Sequence, residues 1–229
     1  MNMTNINNLV AVDWRTGPDA IIFFFKQYNA FCRFSIGDNK VEGNVKLTPV
    51  DWRDLEIDAE DICFGFTTTG FEFDARDSLW LFYYRDGTPW VCEYLQKEGK
   101  VKSKTTVAQS HWAKLLPWFD KIVGVMWQGT TSTRDEYWVL LRDDHYLVFD
   151  TFSGKLQAKP LEGSPWSDIS SDYQDRMITA VLNDRSMFDR FFYIFLTDNQ
   201  YLRYEQNAKE LFGPYDIDEV SWPGLPQYL

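Results

Sequence analysis

Hydrophobic positions in this chain fall into short runs, and the same order of runs recurs four times. A β-rich stretch comes first, at 9–12, 62–66, 122–126 and 177–181, each with a small residue near its centre: Ala11, Gly65, Gly124 and Ala180. A nearly continuous apolar run follows, at 21–25, 79–84, 137–141 and 191–196, opening on Asp19, Asp77, Asp135 and Asp189. Turn residues then reverse the chain into an alternating stretch that holds an aromatic pair, such as Phe31/Phe34, Tyr146/Phe149 or Tyr201/Tyr204. Alternation predicts half-buried strands, and continuous apolar runs of this length predict strands covered on both faces. Each unit closes on a tryptophan with an aliphatic three residues later: Trp52/Leu55, Trp112/Leu115, Trp166/Ile169 and Trp222/Leu225. That spacing puts both side chains on one side of a short helical turn, so each unit is expected to end in a short helix. Truncating one of these tryptophans is expected to cost about 3–5 kcal/mol.

Units repeating every 50–60 residues mean an array of supersecondary modules with a shared core. They tile the 229 residues as one domain, with units at about 9–58, 59–119, 120–174 and 175–229, and no linker interrupts them. A small residue at the centre of every first strand predicts that four strands converge on a narrow axis where only backbone fits. The expected fold class is all-β: a four-bladed β-propeller of four-stranded blades.

The residues that carry this pattern resemble the hemopexin-like repeat. They are the small residue of strand one, the run Asp19-Ala20-Ile21-Ile22-Phe23-Phe24-Phe25, the hairpin into Tyr201-Leu202-Arg203-Tyr204, and the terminal Trp turn. The length of the repeat is closer in style to free-standing plant albumin-2-like and bacterial members than to matrix-protease domains. The resemblance implies a binding protein and an axial channel in which backbone carbonyls face ions. Here those carbonyls would belong to Ala11, Gly65, Gly124 and Ala180, and the cation would be Ca or Na. It also implies, for extracellular members, a disulfide between the first and last blades, for which this chain has no cysteines in the right places. Haem is not expected, because His111 and His145 are the only imidazoles.

Charge narrows the partners. With 34 acidic against 23 basic side chains and a net charge of −11, the surface repels nucleic acid and anionic membranes. The first residues carry no basic and apolar leader pattern, and three cysteines, Cys32, Cys63 and Cys92, sit inside apolar strand patterns. Cytoplasmic residence is the expectation. Phosphate-binding glycine loops, Cys-x-x-Cys, Gly-x-Ser-x-Gly and His-Glu-x-x-His are missing from the sequence. Asp143-Asp144-His145 has metal-ligand chemistry but reads as a hairpin turn. The acidic groups at Asp58, Glu60, Asp61 and at Asp216, Asp218, Glu219 read as capping at blade junctions.

The connections between first and second strands are long in units two and three. Their Thr67, Phe71, Phe73, Trp127 and Arg134 gather hydroxyl, aromatic and cationic groups on one face, which suits a small ligand or a partner protein. The expected function is therefore a non-catalytic binder that uses one face and the axial channel for a small ligand, a cation or a protein. The alternative is an enzyme that needs no motif, such as a cyclase acting on an apolar substrate, whose turnover would vanish when Trp127 and Arg134 are replaced.

Overall fold

The computed structural model describes residues 8–48, 52–69, 77–129, 135–169, 171–184 and 190–229. Its strands form four antiparallel sheets, each a simple meander of four consecutive strands. Blade one contains β1 (Leu9–Trp14), β2 (Ala20–Phe25), β3 (Ala30–Ser35) and β4 (Lys40–Leu47). Blade two contains β5 (Ile62–Thr69), β6 (Asp77–Arg85), β7 (Thr88–Leu95) and β8 (Lys100–Thr106). Blade three contains β9 (Ile122–Trp127), β10 (Glu136–Leu141), β11 (His145–Asp150) and β12 (Lys155–Pro160). Blade four contains β13 (Met177–Asp184), β14 (Arg190–Leu196), β15 (Gln200–Glu205) and β16 (Glu210–Asp216).

The first strands are innermost: β1 lies against β5 and β13, and β9 lies against the same two. The second strands are sandwiched. Ile22 and Phe24 of β2 face the core shared with blade two, while Ile21, Phe23 and Phe25 face the core shared with blade four. That double burial is why β2 reads as an unbroken apolar run. The outermost strands β4, β8 and β12 are exposed or half-buried nearly throughout and carry several lysines, which discourages pairing with another sheet edge.

Each closing tryptophan bridges its own blade to the next. Trp52 lies 5.0 Å from Tyr94, Trp112 5.0 Å from Tyr137, Trp166 5.6 Å from Phe192 and Trp222 5.7 Å from Phe23, centroid to centroid. The fourth of these contacts closes the ring, with Trp222 and Leu225 buried against blade one. The same backbone bond recurs four times: the amides of Leu55, Leu115, Ile169 and Leu225 donate to the carbonyls of Trp52, Trp112, Trp166 and Trp222 at 2.8–3.0 Å. In blades one and two these closures are 3₁₀ helices, Arg53–Leu55 and Ala113–Lys121, and in blades three and four they are three-residue turns; a short α-helix, α1 (Ser171–Gln174), lies beyond the Trp166 turn. A turn of three residues brings i and i+3 into line, which is all the wedge requires.

Two details of the repeat differ from its sequence reading. The carbonyls of Asp19, Asp77 and Asp135 accept the amides of Ile36, Gln96 and Thr151, and in blade four the carbonyl that does so is that of Arg190, accepting from Gln206. Arg190 therefore holds the repeat position, one residue after Asp189, which lies outside the described residues. The small residues also meet different neighbours. A Cβ on Gly65 would stand 2.8 Å from Val12 Cγ1 of the preceding blade, whereas one on Gly124 would stand 2.3 Å from the carbonyl oxygen of Ala180 in the following blade. Only glycine fits either place.

Candidate functional site

The axis has two ends, built from opposite ends of the same four strands. At the end where the first strands finish, polar side chains tie the blades together. Asp13 is buried; its Oδ2 accepts from Arg15 Nε at 3.0 Å and its Oδ1 accepts from the Thr67 amide at 2.7 Å. Burial pushes the Asp13 carboxyl up, and Arg15 and the amide bond pull against it. Thr67 Oγ1 donates to the Asp13 carbonyl and accepts from Gln96 Nε2. Gln96 Oε1 in turn accepts the amides of Arg15 and Thr16. The repeat aspartate of blade two, Asp77, accepts from Thr16 Oγ1 and Thr69 Oγ1.

This end is roofed. The Arg15 guanidinium of blade one sits 5.2 Å over the Trp127 ring of blade three, on the far side of the axis. Arg190 of blade four reaches across to donate to the carbonyls of Trp127 and Gln128. Hydrogen bonds thus join blade one to blade two and blade four to blade three, and the Arg15–Trp127 contact joins the two pairs, with Trp127 buried beneath Arg15.

The opposite end, where the first strands begin, is open. A cavity of about 310 Å³ is lined by Leu9 and Val10 of β1, Cys63 of β5, Ile122 of β9 and Ile178 of β13, so every innermost strand contributes. Its rim comes from one repeated position, the residue just past the last pair between first and second strands. Leu9 pairs with Phe25, Ile62 with Tyr83 and Ile122 with Leu141, which puts Lys26, Tyr84 and Arg142 on the rim. Two of them are pinned by the backbone: the Lys26 amide donates to the Asn8 carbonyl and the Arg142 amide to the Lys121 carbonyl. Acidic groups enter from the segments that lead into the first strands: Glu60, Asp61 and Asp120.

Electrostatics at this mouth are unsettled. The Tyr84 hydroxyl donates to Asp120 Oδ1, and burial together with that bond raises the phenol well above its ordinary value. Burial lowers Lys26, with Arg142 adding to the effect and Asp61 and Glu60 opposing it. Burial raises Asp61, and its acidic neighbours Glu60 and Asp58 raise it further. Among the described residues, the Lys26 ammonium, the Arg142 guanidinium and the carboxylates of Glu60 and Asp61 have no hydrogen bond or ion pair within 4.0 Å.

The residues singled out from sequence are distributed as follows. Thr67 and Trp127 belong to the roofed end, where both are buried and engaged. Phe71, Phe73 and Arg134 lie outside the described residues. Ala11, Gly65, Gly124 and Ala180 lie within the innermost strands between the two ends; the Ala11 amide donates to Thr179 Oγ1 at 3.2 Å, and the Ala180 carbonyl is packed on Gly124. Asp143, Asp144 and His145 have ligand atoms within 4.8 Å of one another. The same groups build the hairpin: Asp143 accepts the His145 amide and pairs with Lys121, and His145 Nδ1 lies 2.6 Å from Asp144. His111 packs edge-on to Trp80 at 5.1 Å. Burial holds the thiols of Cys32 and Cys92 up at about 12 and that of Cys63 at about 11, so none is a ready nucleophile.

Lys26, Arg142 and Asp61 form a site that sequence reasoning passed over. Their signal was available: aligning the four second strands by the last buried residue makes Lys26, Tyr84, Arg142 and Thr197 equivalent. Asp61 was seen as part of an acidic cluster and read as capping. For the C-terminal cluster that reading describes the structure, since Asp218 Oδ1 accepts the amides of Val220 and Ser221, which lower its carboxyl.

No protein-family model matches the sequence, and no curated protein is significantly similar to it. The fold is found among solved structures. A hemopexin-fold protein, CP4, from cow pea superposes with a TM-score of 0.68 at 16% identity, covering 95% of this chain and 96% of its own. A 2S albumin seed protein from Dolichos gives 0.67 at 16%, covering 95% and 97%. A plant albumin from Cicer arietinum, described as showing hemagglutination, gives 0.67 at 14%, covering 95% and 96%. With four antiparallel blades in a ring and near-complete overlap in both directions, this chain has the hemopexin fold of the plant seed albumins.

Proposed function

We propose that this protein is a binding protein that holds a small ligand at the open mouth of its axis. One observation carries the reading: the cavity of about 310 Å³ to which all four innermost strands and the rim residues Lys26, Tyr84 and Arg142 contribute. Ligand sites are concave and mostly apolar, with a few convergent polar groups, and this volume is at the lower end of their range. Here Leu9, Ile122, Ile178 and Phe119 supply an apolar patch, while the lining as a whole is more polar than apolar, with charged groups from Lys26, Glu60, Asp61, Asp120 and Arg142. At the roofed end the polar groups are spent on holding blades together. Native mass spectrometry of protein purified gently from its own host tests the reading. A stoichiometric adduct that is lost in Arg142→Gln supports it; an adduct that this change leaves intact puts the ligand elsewhere.

A further inference from the structure

Opposite charges line the axial mouth without pairing. Lys26 stands on blade one and Arg142 on blade three, across the axis from one another, while Glu60 and Asp61 lead into blade two. In a chain with eleven excess negative charges, several cations are paired with carboxylates: Arg15 with Asp13, Arg33 with Glu42, Lys102 with Glu93 and Lys121 with Asp143. Here both signs face one cavity, and no cation nitrogen comes within 4.0 Å of a carboxylate oxygen. Asp120, the third acid, is taken by the Tyr84 hydroxyl. The strand ends fix where the two cationic side chains start, because the Lys26 and Arg142 amides donate to the Asn8 and Lys121 carbonyls.

We infer that the axial mouth binds a small zwitterion, an α-amino acid with an apolar side chain, its carboxylate between Lys26 and Arg142 and its ammonium on Asp61 and Glu60. This rests on the placement of the site proposed above. An anion alone would satisfy the two cations and meet two uncompensated carboxylates; an amine alone would do the reverse. A molecule carrying both charges a short distance apart settles all four groups at once, and charge-assisted hydrogen bonds of this kind are the strong ones. Its side chain would lie on Ile122, Ile178, Leu9 and Phe119, which form the apolar part of the lining. The cavity is large enough for a side chain of aromatic size and too small for a folded partner.

Three probes of matched shape separate the possibilities in calorimetric titration of the full chain: phenylalanine with both charges, phenylacetate with the anion alone, and phenethylamine with the cation alone. Phenylalanine is expected to bind at least about tenfold more tightly than either single-charge probe. Arg142→Gln should weaken phenylalanine and phenylacetate about tenfold and leave phenethylamine unchanged, and Asp61→Asn should do the converse. Both replaced side chains lie at the rim, and far-UV circular dichroism with thermal unfolding checks that each variant folds. If a single-charge probe binds as tightly as phenylalanine and still responds to these changes, the zwitterion is wrong and the site stands. If no probe binds, or binding ignores both changes, the zwitterion and the site fall together.

Discussion

The two ends of the axis are made by the same four strands and differ in what their charges are for. At the roofed end Asp13, Arg15, Thr67, Gln96, Trp127 and Arg190 satisfy one another across blade boundaries. At the open mouth Lys26, Arg142, Glu60 and Asp61 share a cavity without close ion pairs and act on one another only through space. A buried charge that is paired and hydrogen-bonded holds structure; at the mouth Lys26 and Asp61 are half-buried, while Arg142 and Glu60 are exposed and free to meet a ligand. The contrast separates scaffold from site without reference to any sequence motif.

The comparison breaks most sharply at Arg15. Arg15→Met leaves the Asp13 carboxylate buried with only the Thr67 amide, and is expected to cost about 3–5 kcal/mol at neutral pH in urea denaturation. Burial already raises the folded-state value of Asp13 above its ordinary 3.8, so in the folded protein the carboxyl takes a proton before it does in the unfolded chain. Its contribution to stability is therefore greatest in acid and falls as pH rises from 3.8 through the folded value. The deficit of Arg15→Met should shrink on acidification; a deficit independent of pH would mean the loss is one of packing over Trp127.

Between the two ends, Gly124→Ala drives a methyl into the Ala180 carbonyl and is expected to destabilise by about 1–3 kcal/mol, read from the urea midpoint. No measurable change would show that β9 and β13 can part, and that the axis is wider than its backbone contacts indicate. At the mouth the expectation reverses. Burial lowers the Lys26 ammonium below 10.5, so the unfolded chain binds its proton more tightly. Stability should rise as pH climbs from the folded value toward 10.5, and Lys26→Met should flatten that rise in thermal unfolding. A Lys26→Met protein clearly less stable than the parent at pH 7 would make the lysine part of the scaffold. Smallest of all, Arg142→Gln should change stability by no more than about 0.5 kcal/mol.

The fold could be read from sequence because each repeat states it redundantly. An error in one unit, such as taking Asp189 for the repeat position that Arg190 occupies, left three others in place. The Trp-x-x-aliphatic spacing names the side chains that enter the core but not the kind of turn that carries them, since three residues per turn serve the same wedge as well as 3.6. Function was less legible for the opposite reason. Lys26, Arg142 and Asp61 sit where repeats are least alike, and each alone reads as an ordinary surface charge. Only the ring brings residues more than 110 positions apart to one opening. Thr67 and Trp127 looked like ligand contacts because their loops are long, but the structure uses both inward.

One further consequence follows from the way the last turn seats on the first blade. Tyr228 lies 5.3 Å from Phe25, and Leu229 joins the cluster that contains Leu9. Among the described residues no strand is lent from one sheet to another, so the circle has no privileged starting point. A gene recut to begin at blade three, with a short flexible bridge joining residue 229 to residue 8, should encode the same ring with its two axial ends unchanged. The order in which the four blades are translated would then be an accident of history, while their order around the axis is what the tryptophans specify.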